Sequence, residues 1–135
     1  VARELRGATP MNALAWHRLM VVDDSNVICR RIERVQDLPG VEFVGAARNG
    51  REALALYDRL RPTLVTMDLT MPEMDGGECV AQLVERDPNI RILVISALAD
   101  KLTAIDALEK GASGFLCKPF TDRQLNDALR KLIEE

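Results

Sequence analysis

The sequence has one histidine, His17, and three cysteines, Cys29, Cys79 and Cys117. With a single imidazole, a histidine-rich metal centre or a Ser-His-Asp triad in a packed core is not expected. The cysteines are odd in number, far apart and in no C-x-x-C arrangement. They encode neither a disulfide framework nor a zinc or redox motif, and read as small apolar residues of a chain in a reducing, cytoplasmic setting. Basic residues are not in excess: a net charge of -3 gives no footprint for direct nucleic-acid binding. No apolar run approaches the roughly 20 residues that cross a bilayer, so membrane insertion is not expected.

What is present fits one soluble domain. The length of 135 residues is ordinary for one, and an apolar share of 47% is enough to bury a core without staples. Residues 1–17, VARELRGATPMNALAWH, show neither strand nor long-helix periodicity and no signal-peptide core. They are set aside as an N-terminal extension; Met11 could be a natural start, with residues 1–10 added ahead of it. Residues 18–135 then form the domain, taken to act as a stand-alone unit.

Within it, apolar runs at Leu19–Val22, Glu42–Ala46, Leu64–Met67, Ile90–Ser96 and Gly114–Cys117 alternate with amphipathic stretches. The runs are short and nearly continuous in apolar or β-branched character, as strands covered on both faces require. Ser25 is a candidate N-cap for a helix carrying Ile28, Ile32 and Val35 at i, i+4 and i+7. Further helices are predicted over Gly50–Leu60, Gly77–Arg86, Lys101–Lys110 and Asp122–Glu134, each closed by a Pro or Gly signal or by the chain end. Five strand-helix units predict an α/β fold, a doubly wound parallel sheet with helices on both faces. The flavodoxin-like strand order 2-1-3-4-5 fits better than a closed barrel, which needs eight units.

In such sheets ligands bind at the carboxyl ends of the strands. The first strand ends in Asp23-Asp24, the third in Asp68, the fourth in Ser96-Ala97 and the fifth in Cys117-Lys118-Pro119. Strands one and three are neighbours in that order, so three carboxylates meet. Their mutual repulsion in a partly buried site amounts to several kcal/mol. A hard divalent cation such as Mg²⁺, with Lys118, would neutralise it. Such a site can accept a phosphoryl group, with Asp68 as the carboxylate nucleophile, Lys118 as a point-charge partner and Ser96 as a hydroxyl donor.

Asp23-Asp24, Asp68 in the setting MDLTMPEMDG, Ser96-Ala97 and Phe115-x-x-Lys118-Pro119-Phe120 together resemble the receiver domain of bacterial response regulators, the CheY-like modules of two-component signalling. Each motif alone is common; together, in the family's order and spacing, they are specific. The likeness spans residues 18–134, and because the family has the 2-1-3-4-5 order, the topology is not independent of it. It implies that Asp68 is the phosphorylated aspartate. Asp24, Asp68 and the backbone carbonyl of Thr70 would ligate Mg²⁺, with Asp23 acting mainly through water. Ser96 would be the switch hydroxyl, Phe115 the rotating aromatic, and Lys118-Pro119 a cis peptide. Phosphorylation would reshape the face of the fourth helix, fifth strand and fifth helix, which a downstream protein or a second copy would read. The phosphoryl source would be a histidine kinase, a phosphotransfer protein or a small phosphodonor.

Other readings stand beside this one. The chain could be the receiver part of a longer regulator with a DNA-binding or enzymatic output. An Mg²⁺-dependent phosphatase with an aspartate nucleophile wants a second Asp two residues on, where Thr70 stands. A flavin site wants Ser, Thr and Gly in its first loop, where Asp23-Asp24 would repel a phosphate. In receivers, the residues two after the acceptor and two after the switch hydroxyl influence phosphoryl lifetime; here they are Thr70 and Leu98. Leu98 cannot hold an attacking water. Self-dephosphorylation is therefore expected to be slow, and a half-life of seconds in the purified protein would contradict this.

Overall fold

The structure is a computed structural model that describes residues 17–35, 38–70, 76–97 and 100–134. The elements run β1 His17–Val22, α1 Asn26–Val35, β2 Val41–Ala47, α2 Gly50–Leu60, β3 Leu64–Asp68, α3 Gly76–Arg86, β4 Arg91–Ala97, α4 Lys101–Glu109, β5 Gly114–Lys118 and α5 Asp122–Glu134. The five strands form one parallel sheet in the order β2-β1-β3-β4-β5, as the alternation predicts.

The strand sequences explain the two cores. Side chains alternate between faces along a strand, so a continuous apolar run feeds both. Met20, Val22, Val65, Met67, Ile92 and Val94 pack on one side with Ala53, Tyr57, Val80, Leu83 and Ala104, from α2, α3 and α4. Leu19, Val21, Leu64, Leu93 and Ile95 pack on the other with Ile32, Leu125, Leu129 and Leu132, from α1 and α5. Of the expected stripes of α1 and α5, Ile32, Leu125, Leu129 and Leu132 are buried and Ile28 and Ile133 half-buried against the same core, while the side chain of Val35 lies outside the description.

Helix boundaries follow local chemistry. Asn49 is an extended N-cap whose side chain accepts the Glu52 N–H at 2.9 Å, and Glu52 reaches back to the Arg48 N–H at 2.9 Å. Thr121 and Gln124 form a reciprocal capping box ahead of α5, at 2.9 and 3.0 Å. α2 ends on Arg61 in the left-handed region, φ 49°, before Pro62. The Lys118-Pro119 peptide is cis.

One residue departs from the sequence reading. His17, assigned to the extension, is the first residue of β1, paired with Val41 and buried. Its backbone N–H donates to the Gly40 carbonyl at 2.6 Å, and its ring lies 3.4 Å from Thr63 Oγ1. The polar side chain masked the end of the strand. It sits at the edge of the sheet opposite the acids, with its pKa lowered by burial and then by Arg91.

The register fixes what the carboxyl edge presents. Asp68 pairs with Ile95 of β4, and Lys118 with Ala97, two residues further along the same strand. α3 comes close behind this edge because it opens on Gly76. A Cβ there would lie 2.8 Å from Leu69 Cδ2, 3.0 Å from the Leu69 Cα and 3.3 Å from the Asp68 carbonyl oxygen. Gly76→Ala is expected to destabilise the fold by about 1–3 kcal/mol, although alanine is the better helix former, because backbone atoms of the Asp68 turn must shift. Urea unfolding measures this; a variant as stable as the wild type would contradict the close packing.

Candidate functional site

Two short loops and a turn build the site. Asp23 directly follows β1, with its N–H on the Ala47 carbonyl at 3.0 Å. Its Oδ1 accepts the Ser25 N–H at 2.9 Å, and Ser25 Oγ accepts the Ile28 N–H at 3.3 Å to start α1. Ser25 is thus the cap the sequence indicated, while Asp23 is folded back by its own turn. Asp68 is the last residue of β3, almost wholly buried. The Thr70 N–H and hydroxyl both donate to its Oδ1, at 3.0 and 2.8 Å. Lys118, at the end of β5, brings Nζ to 3.4 Å from Asp68 Oδ1 and 3.9 Å from Asp23 Oδ2.

Asp23, Asp24 and Asp68 each present one carboxylate oxygen, all within 4.8 Å of one another. Asp23 is buried and Asp24 exposed, so the cluster is open to solvent on one side. Three acids face one ammonium, which leaves negative charge uncompensated. Burial is the main reason that the Asp23 carboxyl is raised to about 6; the negative Asp68 and Asp24 add to this, while the Ser25 N–H and Lys118 oppose it. An all-oxygen set of this kind suits a hard cation, which would relieve the repulsion. The acidic pocket could therefore bind a metal.

The remaining expected residues surround this cluster at different depths. Ser96 is fully buried one step beyond the partner of Asp68, and its hydroxyl donates to the Ala97 carbonyl at a long 3.4 Å. Phe115 is 37% exposed and opens a groove of about 580 Å³ with Leu116, Gln124, Ala128 and Lys131. Leu98 lies outside the described residues. Cys29 and Cys79 are buried, Cys79 with its thiol pushed up to about 12 by burial, as inert packing requires.

Two contacts escaped the sequence reading. The Thr70 hydroxyl on Asp68 is an Asp-x-Thr turn bond, a signal legible in principle. Arg31 Nη2 donates to the Phe120 carbonyl at 2.6 Å and to Asp122 Oδ1 at 3.0 Å across 89 and 91 residues of chain, which no local pattern announces.

Both the fold and this arrangement define a receiver-type module. A family model described as the response regulator receiver domain matches residues 19–130, and the chain belongs to that family. It is 39% identical over 114 residues to a chemotaxis protein CheY from Listeria monocytogenes, covering 84% of this chain and 96% of that one. It is 43% identical over 107 residues to a protein-glutamate methylesterase/protein-glutamine glutaminase from Alkalilimnicola ehrlichii, covering 78% of this chain but 27% of the enzyme. The crystal structure of a CheX-CheY-BeF3-Mg²⁺ complex from Borrelia burgdorferi superposes with a TM-score of 0.75 at 32% identity, covering 82% of this chain and 84% of that one. Receiver domains of this kind thus occur both as small proteins and as one part of larger enzymes. No described helix is long and apolar enough to cross a membrane.

The raised carboxyl of Asp23 fixes the sign of a pH effect in metal-free protein. Between its ordinary value of 3.8 and about 6, the folded chain binds more protons at this residue than the unfolded chain, so stability falls as pH rises through that window. Asp23→Asn removes the effect. In chelator, the variant is expected to be more stable than wild type at pH 7, with the advantage shrinking as pH drops from 6 towards 4. Urea unfolding across that range tests it; a pH-independent difference would contradict the assignment.

Proposed function

We propose that the chain is a phospho-accepting switch of two-component signalling, in which Mg²⁺-dependent phosphorylation of Asp68 alters a protein-binding face. The observation that carries this reading is the meeting of the Asp23, Asp24 and Asp68 carboxylates within 4.8 Å of one another, with the Lys118 ammonium 3.4 Å from Asp68. The Borrelia relative, whose crystals hold Mg²⁺ and BeF3, supports the same metal here.

Asp24, Asp68 and the Thr70 carbonyl would hold the ion directly, and Asp23 through water. When bound, Mg²⁺ supplies the positive charge that the transferring group needs. The chain's own residues do the rest. The Thr70 N–H, the Thr70 hydroxyl and the Lys118 ammonium all meet Oδ1 of Asp68, which orients the carboxylate and leaves Oδ2 as the nucleophile. Oδ2 attacks phosphorus. The P–N bond of a phosphohistidine, or the P–O bond of an acyl phosphate, breaks with its electron pair on the leaving group, and a histidine leaving group takes up a proton. Lys118 neutralises one phosphoryl oxygen. Water later returns inorganic phosphate and the free carboxylate.

Read-out follows from Ser96 and Phe115. At 3.4 Å the Ser96 hydroxyl is weakly bonded to Ala97, so a phosphoryl oxygen can outcompete that carbonyl. Its inward pull makes room for Phe115 to turn in, a bias on two pre-existing states. The face of α4, β5 and α5, with Leu102, Ile105 and Phe115 exposed, would be read by a downstream protein or by a second copy. The donor would be a histidine kinase or a phosphotransfer protein. A phosphatase reading is weaker, because Thr70 stands where that chemistry wants a second carboxyl acid.

Intact mass after incubation with acetyl phosphate and Mg²⁺ tests the chemistry. The wild type is expected to gain about 80 Da, with no gain in chelator or in Asp68→Asn. A gain that survives the substitution would place the phosphoryl group elsewhere.

A further inference from the structure

We infer that Arg31 is a positioning residue for Lys118, holding the β5–α5 connection so that the ammonium stays poised between two carboxylates. The inference rests on the reading of Asp68 as the phosphoryl acceptor. Arg31 lies on α1 and reaches across to the segment just after Lys118. Its Nη2 donates to the Phe120 carbonyl at 2.6 Å. Nε and Nη2 share Asp122 Oδ1, at 3.2 and 3.0 Å. The guanidinium carbon sits 4.6 Å from the centroid of the Phe120 ring.

The ion pair alone would do little, since Asp122 is 59% exposed and water screens it. The inner contacts matter more. Phe120 is 5% exposed, so its ring is fixed in the α1/α5 core while its carbonyl is capped by Arg31. A planar fork with five fixed donors bonds a carbonyl and a carboxylate while stacking flat on a ring; an ammonium is a point charge on a flexible stem with no plane to stack.

This matters for Lys118 because of what else anchors its neighbourhood. Upstream, the β4 ladder holds Lys118 opposite Ala97. Downstream, the Thr121–Gln124 capping box begins α5. The residues between are tied sideways by Arg31. The same helix α1 begins at the turn that fixes Asp23, where Cys29 Sγ also donates to the Asp23 carbonyl at 3.4 Å. One helix therefore anchors both the acid and the connection that directly follows the amine. The separations of 3.4 and 3.9 Å exceed a charge-assisted hydrogen bond of about 2.8 Å. The ammonium is thus held off both carboxylates, where an incoming phosphoryl oxygen can claim it.

The test uses the full chain with Arg31→Ala, Arg31→Lys, Lys118→Ala and the Arg31→Ala/Lys118→Ala pair, each checked for folding. The first-order rate of phosphoryl uptake at saturating acetyl phosphate and Mg²⁺ is read by intact mass. Arg31→Ala is expected to slow it about tenfold, and Arg31→Lys by a similar factor. In the Lys118→Ala background the Arg31 substitution should change the rate less than about twofold, because the group it positions is gone. In metal-free protein, an amine-reactive ester should label Lys118 faster in Arg31→Ala than in wild type, relative to Lys101 and Lys131 in the same molecule. An unchanged rate, full rescue by lysine, an equal loss in the Lys118→Ala background or unchanged labelling overturns the inference. Should Arg31→Ala not fold, Arg31→Lys carries the rate and labelling arms. Should the wild type take up no phosphoryl group, the acceptor reading fails and the labelling alone decides the role of Arg31.

Discussion

The structure turns on the repulsion among three carboxylates delivered to one rim of a parallel sheet. Side chains of like charge within 4.8 Å oppose folding unless something positive joins them. The protein answers only partly. Lys118 contributes one charge, the Ser25 and Thr70 N–H groups stabilise two of the carboxylates, and the rest is left to whatever enters from solvent. Asp23 carries a raised pKa, chiefly from its burial and further from the negative Asp68 and Asp24. The site is less stable than a satisfied network would be, which is how a functional site differs from the core beneath it.

That core is where the local rules agree. Apolar residues alternate between two helix layers along β1, β3 and β4, caps start the helices where Ser25, Asn49 and Thr121 stand, and Pro62 and Gly111 lie just past helix ends. One hydroxyl breaks the pattern: Thr66 on β3 is buried with no partner among the described residues. By alternation it lies on the face of Leu64, two residues before Asp68, so this unmet side-chain hydroxyl neighbours the acidic rim.

Much of this was legible in the sequence, and the reasons differ by residue. The strand-helix alternation read out directly because the runs are short, apolar and punctuated, and the order 2-1-3-4-5 brought Asp23, Asp24 and Asp68 together from segments 44 residues apart. Lys118 was legible because it ends a strand. His17 was misplaced because a polar residue at a strand's first position has no periodic signature; its place in the sheet comes from backbone pairing to Val41 and Gly40. Arg31 was illegible, since one arginine on an amphipathic helix reads as a solvated face, and only the assembled layers bring α5's start within its reach. The tight seat of Gly76 was hidden for the same reason: nothing in DGGE says which glycine meets backbone.

The staggered pairing of Asp68 with Ile95 and of Lys118 with Ala97 makes β4 a ruler laid between acid and amine. Their backbone separation is set by two strand spacings of about 4.8 Å and an offset of two peptide units of about 3.3 Å each, and not by side-chain volumes. Lineages are then free to repaint either flank of that strand with other hydrocarbons while the gap between the charges stays constant. What they cannot tolerate is a gained or lost residue within it, which would swap the inward and outward faces and carry the amine away from its acid in one step.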